Sequence, residues 1–432
     1  MILQRVQQEL LRLQQEHLLE ELAELSSDQI ESLLQQLKKY SQELAQQQKE
    51  LAGQSAPEKH LAPYCSVEKN GNASLGRQLL LEGKVGCLIM AGGQGTRLGA
   101  EGPKGIVPVT AVRGKSLFQV FAEKTKAASD WAGKKLPLCI MTSSHNHQQT
   151  LNFFKEHHFF GLDAAQVFFF EQAELPLLDL EGKWMFQSPG VLLEGPDGNG
   201  HALHHFFNTG IWAKFKERGV EYLQVMFVDN PLADPFDLEF VGLVAEKKWD
   251  AALKVVERLS PEEKMGVLAN QEGRLKVIEY SEIPAADSAS YTLSSTGIFC
   301  LSMDFIPHLS RSQLPLHLAR KTAKTSAGTI PVYKCERFIF DLLDSATSSG
   351  ALLCSRENTY APLKNATGDK SLETVKAALL QKDKKVYEAL TGKAAPHCDF
   401  ELDPAYYYPS DLAKQQLSLR KILDKEYIDL LT

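Results

Sequence analysis

An α/β fold is what this chain predicts, and two patterns carry the prediction. From Val85 to about Phe305, short apolar runs alternate with longer amphipathic stretches, the pattern of strands joined by crossover helices and of a sheet covered on both faces. The residues with chemical potential gather just after those apolar runs, where an open α/β sheet takes its ligands. Candidate strands are 85–90, 136–142, 167–171, 222–228, 251–256, 276–278 and 297–301. The glycine loop follows the first, Thr142-Ser143-Ser144-His145 the second, Glu171-Gln172 the third and Asp229-Asn230 the fourth.

Taken in order, residues from Ile2 to about Leu51 are rich in Leu, Gln and Glu and hold no proline or glycine, a helical composition. Ser26-Ser27-Asp28 interrupts them and offers a cap to a second helix with the apolar stripe Ile30, Leu33, Leu34, Leu37 and Leu44, so the segment predicts a helical hairpin. The heptad is not sustained, which favours packing on its own protein over a coiled-coil partner. Residues 53–72 read as a connection. At 432 residues the chain predicts two or three domains, with ample length for a large core. A net charge of −7 excludes a nucleic-acid protein, because no basic excess exists to neutralise a phosphate backbone. The seven cysteines are scattered, odd in number and without a C-x-x-C pair, so they read as reduced thiols rather than a disulfide framework or zinc site. There is no secretory signal and no apolar run of membrane-spanning length. A cytoplasmic location, with no membrane partner, is the expectation.

The apolar run Val85-Gly86-Cys87-Leu88-Ile89-Met90 empties into Ala91-Gly92-Gly93-Gln94-Gly95-Thr96-Arg97-Leu98-Gly99, closed by Pro103-Lys104-Gly105. Glycines there leave no side chains between backbone N–H groups and a ligand, which suits an anion. Arg97 adds a planar fork and Lys104 a point charge, two ways of holding phosphate oxygens. A tight turn is the plain alternative. A dinucleotide fingerprint fits weakly, since the third glycine comes late and only Glu123, inside a helical pattern, lies near the required acidic position. A Walker loop fails, because Val109 stands where Gly114-Lys115-Ser116 would need a glycine. Asp229, at the end of an apolar run, either caps a turn or ligates Mg²⁺ beside phosphates, and its place at the same sheet edge as the glycine loop favours the metal. Gly195-Pro196-Asp197-Gly198-Asn199-Gly200-His201 is a second glycine-rich turn, able to bring backbone close to something flat. Gln172 carries an amide suited to a base edge; a surface amide is the alternative.

These stretches, with Val277-Ile278-Glu279-Tyr280-Ser281-Glu282-Ile283 and Pro362-Leu363-Lys364-Asn365-Ala366 in the same order, resemble the eukaryotic-type UDP-sugar pyrophosphorylase family, most of all its N-acetylglucosamine branch. The likeness runs from about Leu79 to Gly368. It implies a Rossmann-like, glycosyltransferase A-like mixed sheet covered by helices, with an N-terminal helical domain and linker at 1–72, a catalytic nucleotidyltransferase domain at 73–344 and a C-terminal α+β domain at 345–432. The implied activity joins UTP to a sugar 1-phosphate with release of pyrophosphate and with Mg²⁺ as cofactor. Gly92, Gly93, Gln94 and Gly95 match the loop over the UTP phosphates, with Arg97 and Lys104 as charge partners. Gln172 and Gly198 match uracil-recognising positions, Asn199 one on the ribose or sugar side, Asp229 the metal aspartate, Glu279 a sugar-hydroxyl position and Lys364 a lysine that approaches the phosphates. Phe338 and Phe340 resemble an aromatic border of the sugar pocket. A homodimer is an assembly the resemblance allows.

The implied chemistry needs no side-chain nucleophile or base, because a phosphate monoester is already nucleophilic at neutral pH; cations must suppress repulsion and stabilise the leaving group. His145, His201 and His204 are therefore expected to position or stand by. One stretch departs from the family: where the acetylamino-sugar enzymes carry Asn-Ala-Gly-Asn, this chain reads Ser294-Ser295-Thr296-Gly297. N-acetylglucosamine 1-phosphate is the expected substrate, and the missing asparagines keep glucose 1-phosphate or a broader set open. A non-catalytic nucleotide-sugar sensor is the alternative from another class.

Overall fold

The computed structural model describes residues 1–53, 60–99, 101–326 and 328–430; part of the predicted 53–72 connection, residues 54–59, lies outside them. The chain gathers into two compact units, each built from separate stretches. One comprises His60–Glu171, Ala202–Ser312 and Leu342–Thr432, the other Met1–Lys59, Gln172–His201 and Gln313–Asp341.

The first unit is organised on a ten-stranded mixed sheet. Its strands are β1 (Ala62–Pro63), β2 (Val85–Met90), β3 (Leu138–Thr142), β4 (Val167–Glu171), β5 (Tyr222–Phe227), β6 (Ala251–Glu257), β7 (Val267–Gln271), β8 (Arg274–Ile278), β9 (Leu293–Ser302) and β10 (Ser349–Leu353). The main path runs β1-β7-β9-β5-β2-β3-β4, with β8 on β7, β6 on β9 and β10 on β6. Strands β4, β3, β2 and β5 are mutually parallel, while β9 runs antiparallel to β5 and β6. Every residue of β2 and β3 is buried, as strands covered on both faces require. The seven predicted strands are all present, with ends shifted by a few residues. Strands β1, β7 and β10 were not predicted.

Helices dock on this sheet through their small residues and caps. Helix Leu117–Ala132 starts where Ser116 Oγ accepts from the Gln119 amide at 3.1 Å and stops at Gly133, φ 63°. Helices Ala73–Leu81 and Leu238–Lys247 cross backbone to backbone: a Cβ on Gly76 would lie 1.9 Å from the Leu238 carbonyl oxygen, and one on Gly242 1.9 Å from that of Asn72. Near the C-terminus the helix Leu372–Thr391 packs with the parallel pair Phe400–Leu402 and Glu426–Ile428 around buried Phe400, Tyr406, Leu417 and Ile428.

The second unit replaces the predicted N-terminal hairpin with four helical segments: Ile2–Arg12, the 3₁₀ turn Glu16–Glu24, Ser27–Leu37 and Gln42–Ala52. The break after the first helix falls at Gln14, φ 57°, and nothing in the local composition marks it. The predicted cap is present: Ser26 and Gln29 form a reciprocal capping box. The stripe packs on its own protein, with Leu10, Leu33, Leu37 and Tyr40 in one core with Trp184. Buried Gln48 accepts from the Trp184 indole N–H at 2.9 Å and donates to the Pro176 carbonyl at 3.0 Å. An antiparallel hairpin of His317–Thr325 and Gly328–Glu336 completes the unit. No helix among the described residues is long and apolar enough to cross a membrane.

Candidate active site

In the first unit, strand order reverses between β2 and β5, whose parallel register sets Met90 beside Phe227. The glycine loop and Asp229 therefore leave neighbouring strand ends, and the crevice outside such ends is the usual ligand site of an open α/β sheet. Ser143 and Asn146, after β3, shape the loop from beside it. Ser143 Oγ donates to the Gly92 carbonyl at 2.9 Å, and Asn146 Nδ2 donates to the carbonyls of Ala91 and Gly93 at 3.0 and 3.2 Å. The Lys104 amide also donates to the Gly93 carbonyl, at 3.1 Å, and the Gly95 amide to that of Gly102, at 2.9 Å. Gln94 donates to the His145 carbonyl at 3.0 Å. A Cβ on Gly93 would meet nothing within 4 Å, so the packing of the fold gives no reason for glycine there. Arg97 is exposed on the following turn.

Lys104 Nζ stands 3.3 Å from Asp229 Oδ2, with the two side chains 16% and 17% exposed. The chain segment carrying Lys364 is tied to the same strand end, since the Leu363 amide donates to the Asp229 carbonyl at 2.7 Å. Crowding by protein is the largest influence on the Lys364 ammonium and works against its charge. Asp229, then Tyr360 and Glu279, outweigh it and hold the pKa above the ordinary lysine value. Arg97 acts on Lys364 in the opposite sense. Arg97, Lys104, Asp229, Glu279 and Lys364 thus belong to one electrostatic neighbourhood in this unit. Glu279 also has a local structural task, because its side chain and that of Glu282 form a reciprocal cap on the turn Tyr280–Glu282.

The remaining predicted residues lie in the second unit. Gln172 follows Glu171 of β4 directly and is half-buried. Gly198 has φ +88°, and a Cβ there would lie 2.3 Å from the Arg337 carbonyl oxygen; the fold itself demands glycine at that position. Asn199 Oδ1 accepts from the Ile339 amide at 2.7 Å. Phe338 and Phe340 stack at 5.1 Å, and the His317 ring lies 4.7 Å from Phe338, hydrogen-bonded to Asp341 at 2.8 Å. His201 pairs with buried Asp197 at 3.2 Å, a positioning arrangement.

Sequence reasoning missed Asn146 and Lys124, and gave Ser143 and Asn230 no role beyond their place after a strand. Lys124 is buried, and its ammonium donates to the Pro231 and Ala233 carbonyls at 2.7 and 2.9 Å, just past Asp229. Burial lowers its pKa to about 8. Only its neighbours in space reveal this role. Asn146 and Asn230 left a weak sign, each standing in a polar stretch directly after a strand.

The departing stretch, Ser294–Gly297, lies in β9. Gly297 has φ +74°, and a Cβ there would fall 2.5 Å from the Phe227 ring. That ring closes over the glycine from the end of β5.

With this geometry in hand, comparison with known proteins is direct. The profile of the family described as UDPGP, UTP--glucose-1-phosphate uridylyltransferase, matches residues 30–401. The chain belongs to the UDPGP family. Similar members include UDP-N-acetylglucosamine diphosphorylase 2 of Arabidopsis thaliana, 34% identical over 68% of this chain and 64% of that protein. Another is UDP-N-acetylglucosamine pyrophosphorylase of Saccharomyces cerevisiae, 33% identical over 71% of this chain and 70% of that one. The chain thus spans roughly two thirds of the length of these curated relatives. The crystal structure of uridine diphosphate N-acetylglucosamine pyrophosphorylase from Trypanosoma brucei superposes with a TM-score of 0.83, covering 100% of this chain and 98% of that one at 23% identity. That likeness establishes the shared fold.

Proposed function

We propose that this UDPGP-family chain is a uridylyltransferase that joins UTP to a sugar 1-phosphate, giving a UDP-sugar and pyrophosphate. The observation that carries the reading is the switch point between β2 and β5. There a glycine loop with an unpacked Gly93, the cations Lys104 and Lys364 and the carboxylate Asp229 meet at one sheet edge. A binding module for a neutral ligand has no use for three cations gathered near Asp229.

In the reaction, an oxygen of the sugar phosphate attacks the α-phosphorus of UTP, a new P–O bond forms, and the bond from the α-phosphorus to the oxygen leading to the β-phosphorus breaks. The electron pair leaves with pyrophosphate. The open backbone of Gly92, Gly93 and Gln94 cradles the triphosphate, with Gly95 closing the loop through its amide's bond to the Gly102 carbonyl. Arg97, Lys104 and Lys364 offset repulsion between two anionic reactants and stabilise the charge that moves onto the leaving group. Lys104 exchanges its contact with Asp229 for phosphate oxygens as substrate enters. Asp229 offers a hard oxygen donor, and its Oδ1 receives no hydrogen bond from the described residues, which fits Mg²⁺ with phosphate oxygens and water completing its shell. Bound there, the ion would neutralise phosphate charge. Gln172 and Gly198 read uracil, Asn199 the ribose or sugar side, and Glu279 the sugar hydroxyls, with Phe338 and Phe340 as its aromatic border. The proposal keeps the division into 1–72, 73–344 and 345–432, a cytoplasmic location and a homodimer.

N-acetylglucosamine 1-phosphate is the proposed sugar substrate. A second reading, glucose 1-phosphate or a broad set, is favoured by Gly297, where the Phe227 ring leaves no room for an amide side chain. Incubating the protein with UTP, Mg²⁺ and a panel of sugar 1-phosphates while following pyrophosphate ranks the two. A preference of at least about tenfold in kcat/KM for the acetylated sugar supports the first reading; parity or a glucose preference supports the second.

A further inference from the structure

Asn230 is 2% exposed and directly follows Asp229. Its Nδ2 donates to the Thr359 carbonyl at 2.8 Å, and its Oδ1 accepts from the Ala361 amide at 3.0 Å. One residue earlier, the Asp229 carbonyl accepts from the Leu363 amide at 2.7 Å. Three hydrogen bonds therefore fasten residues 229–230 to 359–363, and the next residue in the chain is Lys364. Between Tyr360 and Asn365 the backbone has neither helix nor strand, so no ladder of its own holds it in place. Besides these bonds, the burial of Leu363 anchors it, and beyond it the Lys364 and Asn365 amides donate to the Lys370 carbonyl at 2.7 and 3.1 Å, bonds within the same loop that do not tie it to the Asp229 strand end. Only a primary amide supplies a donor and an acceptor in one plane at this reach: Asp cannot donate when ionised, and the Ser hydroxyl is too short. On its other side the Asp229 loop is held by Lys124 through the Pro231 and Ala233 carbonyls.

We infer that Asn230 is a positioning residue that couples the strand end bearing Asp229 to the segment bearing Lys364, so that carboxylate and cation keep one spacing. Its consequence for turnover rests on the proposed uridylyl transfer; its structural part does not. Asn230→Asp keeps the shape but turns the donor into an acceptor facing the Thr359 carbonyl, and Asn230→Ala removes both bonds. If either variant folds poorly, the other carries the test. The first readout is hydrogen exchange of the 359–364 backbone in the substrate-free protein, expected to quicken about tenfold or more while β2 and β3 are unchanged. The second is steady-state kinetics, where kcat is expected to fall about a hundredfold with KM for UTP within about threefold. The third places Asn230→Asp in a Lys364→Ala background, where the further loss should be under about threefold, because the coupled partner is already gone. Unchanged exchange in 359–364, or a full hundredfold loss repeated in the Lys364→Ala background, overturns the inference. If the wild-type chain transfers no uridylyl group, the functional reading fails, and the exchange comparison alone decides the coupling.

Discussion

Gly93 and Gly198 are both predicted site glycines, and the structure gives them different reasons to be glycine. Gly198 combines a left-handed φ with backbone contact to Arg337, so any side chain there strains the fold; Gly93 has free space where a Cβ would go. Gly93→Ala is therefore expected to leave stability within about 0.5 kcal/mol while raising KM for UTP or lowering kcat/KM by about a hundredfold. Paired thermal melts and kinetics check it, and a fully active variant would remove the loop from the triphosphate. Lys104→Ala and Asp229→Ala are expected to stay folded and to lose roughly a thousandfold or more in turnover, as removal of groups acting on transition-state charge does; circular dichroism and initial rates decide. At this scale the sequence exposed the residues whose chemistry is unusual for their place, such as Arg97, Lys104 and Asp229. It hid the residues whose task is to hold them. Lys124 and Asn146 look ordinary until the carbonyls they bind, far away in the chain, are brought beside them.

Among the elements, legibility followed patterning. Strands β2 and β3 are apolar runs buried on both faces and were plain in the sequence, as was the phenylalanine run of β4. Strand β7 offers only the short apolar run Val267-Leu268-Ala269 before Asn270 and Gln271, and the hairpin of His317–Thr325 and Gly328–Glu336 carries many polar and charged residues, so their period-two signal is faint and their pairing is set by tertiary contacts rather than local composition. The N-terminal segment shows the same limit: its helical composition was legible, but the break at Gln14 was not. Two element-level predictions follow from packing and burial. Gly242→Ala would drive a methyl into the Asn72 carbonyl where two helices cross and is expected to cost about 3 kcal/mol, read as a lower denaturation midpoint. Asp383 lies buried on helix Leu372–Thr391, accepting from the Leu402 amide and the Tyr407 hydroxyl at 3.1 and 2.9 Å. Burial pushes its pKa up to about 7. A carboxyl raised in the folded state contributes stability that is complete below its unfolded pKa and lost as pH rises through the folded one. The wild-type advantage in Tm over Asp383→Asn should accordingly shrink from about pH 5 to about pH 8; a constant difference would contradict the titration.

For the whole molecule, the central proposal is that this UDPGP-family chain handles phosphate at a topological switch point of its sheet, where chemistry on UTP would need little beyond charge and orientation. The net charge argued against a nucleic-acid partner, and no helix among the described residues is long and apolar enough to cross a membrane. The choice of sugar was the least legible part, because the contact proposed to bear on it, the Phe227 ring closing over Gly297, joins residues far apart in the chain. The most direct test follows atoms. Sugar 1-phosphate labelled with ¹⁸O on its free phosphate oxygens is incubated with the protein, unlabelled UTP and Mg²⁺, and the products are weighed by mass spectrometry. Attack on the α-phosphorus predicts a UDP-sugar carrying all of the label, one ¹⁸O in its phosphate bridge, and unlabelled pyrophosphate. Label in pyrophosphate, or no UDP-sugar from any sugar 1-phosphate tested, would contradict uridylyl transfer and leave a nucleotide-sugar sensor as the better account.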